Sequence, residues 1–120
     1  MATPEIVRLA TDTPSNDHYR VAADRLESGD PRQGVFNRYS DPSEEFHCGL
    51  WEAEPATWRV SYSEYEYCEI LEGRIRMTTV EGTVTEVGPG DRFVIPAGWQ
   101  GSWQVLERAR KVYVIFERKR

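Results

Sequence analysis

The chain is poor in the side chains that most often carry protein chemistry: its 120 residues include 2 histidines and 2 cysteines. His18 and His47 both fall in the first half, and Cys48 and Cys68 stand apart with no Cys-x-x-Cys pairing. That spacing supports neither a disulfide framework nor a recognised zinc site, His47, Cys48 and Cys68 included; it fits two small buried hydrophobes. Basic residues are also in the minority. A net charge of −5 and a pI near 5.1 leave no basic face for phosphate, which excludes a nucleic-acid partner. No apolar run approaches the ~18 residues of a membrane-spanning helix. The start, Met1-Ala-Thr-Pro-Glu5, lacks the charged and apolar regions of a signal peptide. The expectation is a cytoplasmic protein with no membrane partner.

What remains suffices for one folded domain with one core. Hydrophobic residues make up 39% and aromatics 12%, while a mean hydropathy of −0.63 indicates a polar surface. The pattern changes near residue 46. Before it, Pro4, Pro14, Pro31 and Pro42 interrupt any long periodicity. Tyr19, Ala22, Ala23 and Leu26 fall at helical spacing, so a short helix over 17–27 is allowed. An extended arm packed on the rest of the chain, over 1–45, is equally compatible.

From residue 46 to 117 the text reads strand, turn, strand. Trp58-Arg-Val60-Ser-Tyr62 alternates apolar and polar residues, the mark of a half-buried strand. Ile70-Leu71 and Ile75-Arg-Met77 flank Glu72-Gly73, Gly88-Pro-Gly-Asp91 forms a turn, and Trp103–Leu106 and Val112–Phe116 close the series. Short strands with frequent turns and no helical crossover predict six or seven strands in an all-β barrel or sandwich.

Two blocks narrow this further. Six residues separate Glu66 from Gly73, and Gly90, Pro96 and Gly98 lie in Gly-Asp-Arg-Phe-Val-Ile-Pro-Ala-Gly. In spacing and separation the blocks resemble the two signature motifs of the cupin superfamily. The resemblance implies a jelly-roll β-barrel, or double-stranded β-helix, with an N-terminal arm. In that pattern Val60 and Tyr62 take the first motif's histidine positions, Glu66 keeps its glutamate, and Gly101 takes the second motif's histidine position. One carboxylate alone does not hold a transition metal against water, so no metal and no cofactor are expected. Within the superfamily the chain resembles small cupins like the domain of (S)-ureidoglycine aminohydrolase. Gly49-Leu-Trp-Glu52, Trp58–Tyr62, Glu66–Gly73, Pro96-Ala-Gly98 and Trp103–Tyr113 carry that likeness. It implies a fold, while the manganese site of the aminohydrolase would need the histidines that are replaced here.

Strand alternation spreads the inward direction of these positions to every second neighbour. Trp58, Val60 and Tyr62, then Glu66, Cys68 and Ile70, then Gly101, Trp103 and Val105 should face the lumen. Glu66 would then be a single carboxylate among aromatic rings, unsolvated by its strand neighbours Cys68 and Ile70. Three functions are compatible with this. The lumen could bind a small polar or cationic organic ligand through Trp58, Val60, Cys68, Gly101 and Trp103. A metal-free enzyme could use Glu66 and Tyr62 as acid and base. Alternatively, the barrel is packed shut and its surface does the work. Edge strands left by such a fold are often covered by pairing, so a homodimer is expected.

Overall fold

The computed structural model describes residues 3–119 and is all-β, with no helix among them. Among the described residues there are nine strands, six of them (β4–β9) in the span 46–117 where six or seven are expected, and three more ahead of it: β1 (Asp17–Arg20), β2 (Leu26–Ser28), β3 (Arg32–Ser40), β4 (Phe46–Ala53), β5 (Ala56–Ser61), β6 (Tyr65–Thr79), β7 (Val84–Val87), β8 (Arg92–Ile95) and β9 (Gln100–Phe116). All pairings are antiparallel, in the order β1-β3-β4-β9-β5-β2, with β6 joined to β7, β8 and β9.

Two long strands make the sheet curl. β6 and β9 pair along most of their 15 and 17 residues, and each changes its other neighbour midway. β6 exchanges β8 for β7, and β9 exchanges β5 for β4. The register between them shifts around residues 70 to 75, and such bulges bend and twist a strand. Gly73 sits at this bend with φ +88°, and a Cβ there would lie 2.3 Å from the Arg108 carbonyl oxygen. Glu72-Gly73 is therefore a kink inside one strand and not the turn between two that the sequence suggests. Gly90 and Gly98 do occupy turns, with φ +90° and +94°.

The helix allowed over 17–27 is absent. These residues form β1, a turn and β2, whose backbone groups pair with β3 and β5. Ala22 and Ala23 are exposed, so a helix here would have had no apolar face to bury. The division near residue 46 falls in the β3–β4 hairpin, where Ser40 pairs with His47, so strands on both sides of it belong to one sheet. Ahead of β1, the Arg110 guanidinium on β9 donates to the carbonyls of Thr11 and Thr13 and ties the leading segment to the sheet.

The inner face of the curl is the core. Trp51, Trp58, Cys68, Ile70, Ile75, Met77, Trp103 and Val105 are each at most 9% exposed. Each large apolar side chain buried there contributes roughly 1.5–3 kcal/mol. Three polar or charged residues are buried as well: Gln33, Glu66 and Lys111.

Candidate functional site

Lys111 and Glu66 meet at the base of a cavity. Glu66 points inward from β6, as alternation predicts. Lys111 points inward from β9, where it pairs with Trp51 of β4 on one side and Ile70 of β6 on the other. Lys111 Nζ lies 2.8 Å from Glu66 Oε2, with the two side chains 5% and 7% exposed. The same ammonium stands 4.8 Å from the centre of the Trp51 ring and 4.6 Å from that of Trp103, close enough for cation–π attraction to both. Cys68 Sγ is 3.5 Å away. Strand alternation alone names no counter-ion for Glu66; in the structure Lys111 is that counter-ion.

Neighbouring groups hold this cage in place. Trp51 Nε1 donates to Gln33 Oε1 at 2.9 Å, which fixes the ring beside Lys111. Trp103 meets Trp51 edge to face at 6.1 Å and stacks against Tyr62 at 6.5 Å. Tyr62 in turn packs edge to face on Trp99. Trp103 Nε1 is buried with no hydrogen-bond partner among the described residues.

Burial and charge set the protonation states. Burial alone disfavours the Lys111 ammonium and is the largest single influence on it. Negative charge around it outweighs that burial and holds Lys111 above its ordinary range: the Glu66 carboxylate at neutral pH, joined by Cys68 and Tyr62 once alkali ionises them. Burial pushes the Cys68 thiol up to about 12 and the Tyr62 phenol well above its usual range. At neutral pH the site is an ammonium beside a thiol and a phenol that keep their protons.

The cavity above the pair has a volume of about 410 Å³. Trp58, Val60, Tyr62, Glu66 and Trp103 line it, as the alternation argument expects. Lys111, Trp51, Tyr19, Tyr113 and His47 are also in its wall and were not anticipated there. His47 lies on β4. Its Nε2 donates to the Glu44 carbonyl at 2.9 Å, so its Nδ1 accepts from the Ser40 hydroxyl at 2.6 Å in the neutral ring. Tyr113 donates to Asn37 Oδ1 at 2.7 Å, and Asn37 Nδ2 donates to Ser40 Oγ at 2.8 Å. One wall is thus a continuous hydrogen-bonded chain. Cys68 is fully buried behind the pair and does not line the cavity. Gly101 borders a second hollow with Glu27 and Arg59 and is absent from the first.

The residues do not fit a cupin metal. Of the four ligand positions, Val60 and Gly101 offer no donor atom, and Tyr62 holds its proton. A Cβ at position 101 would lie 2.1 Å from the Thr78 carbonyl oxygen, so no side chain can enter there. The remaining ligand, Glu66, already faces a fixed ammonium, which would repel a divalent cation at the same carboxylate.

Comparison with known proteins agrees with this scaffold. None of the curated proteins matches the chain. Among solved structures, it resembles a DUF861-family protein of unknown function from Pseudomonas syringae pv. tomato, with a TM-score of 0.82 and 19% identity. That likeness covers 89% of this chain and 46% of the other, so the chain spans about half the length of that relative. It also resembles the ethanolamine utilization protein Q of Salmonella typhimurium, with a TM-score of 0.64 and 19% identity over 72% of this chain and 71% of the other. A DUF861-family protein from Thermotoga maritima is 31% identical over 66% of this chain and 96% of its own, with a TM-score of 0.53. These likenesses show the cupin jelly-roll fold, and the EutQ-like cupin domain matches residues 40–113. The chain belongs to the EutQ-like cupin domain family.

Proposed function

We propose that this protein binds a small polar organic molecule in its barrel without a metal, with the Lys111–Glu66 pair at the base of the site. The observation that carries the reading is the cavity of about 410 Å³ beside Glu66. A barrel filled by its own side chains would leave no such space, and ligand sites commonly measure ~300–1,000 Å³. Trp58, Val60, Tyr62 and Trp103 serve as walls, and Cys68 acts from behind through Lys111. The cage does not wait for a cationic ligand, because Lys111 already occupies the faces of Trp51 and Trp103.

The manganese chemistry of the aminohydrolase is not part of this reading, since the ammonium stands against the one retained ligand. Ethanolamine, suggested by the name of the Salmonella neighbour, belongs in a ligand panel as a small amine. The intrinsic fluorescence of Trp51, Trp58 and Trp103 offers the test. Titration with small carbonyl compounds, carboxylates, alcohols and amines should change it saturably for at least one class. Val60→Phe, which fills the cavity, should abolish the change while preserving the fold. A panel without any response, together with a Val60→Phe variant more stable than the wild type, would overturn the proposal in favour of a closed barrel.

The expected homodimer is kept as part of this proposal. Phe46, Phe116 and Tyr65 lie side by side on three paired strands and are 39%, 36% and 51% exposed. Such a row is costly to leave in water. Light scattering giving a monomer mass would remove this element without touching the cavity.

A further inference from the structure

The geometry points to an oxygen acceptor, a carbonyl or carboxylate oxygen of a small organic molecule, as the group that the cavity takes onto the Lys111 ammonium. This rests on the cavity being a ligand site, as proposed above, and it names the chemistry of that ligand.

The argument is a count of donors and acceptors. An ammonium has three N–H bonds. At Lys111 one is directed to Glu66 Oε2 at 2.8 Å, and a second reaches only the sulfur of Cys68 at 3.5 Å, a weak acceptor. No further oxygen or nitrogen acceptor lies within hydrogen-bond distance of Nζ among the described residues, although Lys111 lines the cavity. A buried charge is normally saturated by hydrogen bonds, so an ammonium with a single oxygen partner is incomplete. Trp103 Nε1, on an adjoining ring, is a second buried donor without an acceptor. At the base of the cavity Lys111 therefore has an N–H without an oxygen acceptor.

An amine would meet the opposite situation. Its natural partners at the base of the cavity, the faces of Trp51 and Trp103 and the carboxylate of Glu66, are already taken by Lys111, which leaves it only the Glu64 carboxylate on the wall. A second cation in that cage would be repelled by the first. The apolar part of a carbonyl or carboxylate ligand has Val35, Trp58, Val60 and Ile115 to rest on. A neutral carbonyl leaves the charge balance of the pair unchanged. A carboxylate adds a charge, for which the exposed Arg25 at the cavity wall has no carboxylate partner within 4.0 Å among the described residues.

Ligand-observed saturation-transfer NMR tests this with four probes: acetamide, pyruvate, ethanolamine and toluene. Acetamide or pyruvate should bind the wild type, and ethanolamine should bind more weakly than either. Lys111→Met should weaken the oxygen probes by about tenfold or more, as loss of a hydrogen bond from a charged group does. Should Lys111→Met leave Glu66 unpaired and the chain unfolded, the double variant K111M/E66Q removes both charges together and serves instead. Ethanolamine binding best, or oxygen probes binding the folded variant as they bind the wild type, would overturn the inference. Toluene binding while neither oxygen probe does would also overturn it, and would leave the reading of the cavity as a ligand site intact. Silence from all four probes would count against both.

Discussion

Lys111 Nζ sits 2.8 Å from Glu66 Oε2 between two adjacent antiparallel strands, with both side chains almost wholly withdrawn from water. Taking two such charges out of water costs several kcal/mol each, and the attraction between them repays this only with good geometry and further partners. Trp51 and Trp103 supply part of this through cation–π attraction to the ammonium, while one of its N–H bonds still lacks an oxygen acceptor. A cation thus stands at the one carboxylate that a cupin motif would otherwise offer to a metal.

The pair has a defined pH signature. Lys111 titrates above its unfolded value of 10.5 in the folded protein, so its contribution to stability is complete below that value and is lost as pH rises through the higher folded one. Tyr62 and Tyr113 act in the same direction, because burial raises their phenols above 10.0 and unfolding lets them ionise. Thermal unfolding followed across pH should show no loss from these groups between about pH 6 and 9 and a decline beyond about pH 10. K111M/E66Q should retain the tyrosine part of that decline and lose the lysine part. An alkaline decline identical in the two proteins would show that Lys111 is not held as described.

The two thiols should differ in reactivity. Cys68 is fully buried and its thiol is pushed up to about 12, so almost none is thiolate at neutral pH. Cys48 is partly exposed, though burial raises it as well. Iodoacetamide at about pH 8 followed by peptide mass spectrometry should modify Cys48 slowly and Cys68 only after denaturation. Equal labelling of both in the native protein would contradict the buried position of Cys68.

Gly101 is a packing requirement on β9. The nearest atoms to a Cβ there would be backbone, with Thr78 O at 2.1 Å and Thr79 Cα at 2.9 Å, so relief requires moving β6 from β9. Gly101→Ala should destabilise the protein by at least ~1–3 kcal/mol in chemical denaturation, the usual cost of forced overpacking. A neutral substitution would mean that the strands are less closely apposed at this point.

Much of this scaffold is legible in the sequence because turn chemistry and period-2 alternation are local signals. Gly90 marks the turn before β8, Pro96 and Gly98 mark the turn before β9, and the distance from Gly73 to Glu66 sets the direction in which Glu66 points. Lys111 is harder to reach by alternation: stepping by twos from Trp103 and Val105 meets the exposed Glu107 before Ala109, Lys111 and Tyr113, which are buried. It escapes notice because it follows Glu107, Arg108 and Arg110, a run that reads as a solvated face. The first three strands are hidden for a different reason. Gln33 and Asn37 face inward as hydrogen-bond partners of Trp51 and Tyr113, so polar residues stand where an alternating strand would show apolar ones. Tyr19 and Leu26 mimic a helical stripe, and only the long-range pairing of β1 with β3 and β2 with β5 decides against it.

The Lys111–Glu66 pair is the centre of the account, and a double-mutant cycle in chemical denaturation measures it most directly. Glu66→Gln and Lys111→Met should each cost ~3–5 kcal/mol, because each leaves a buried charge uncompensated. K111M/E66Q should cost far less than the sum of the two, giving a coupling of at least ~1.5 kcal/mol. Additive losses, with coupling below ~0.5 kcal/mol, would mean that the two charges do not meet in the folded protein.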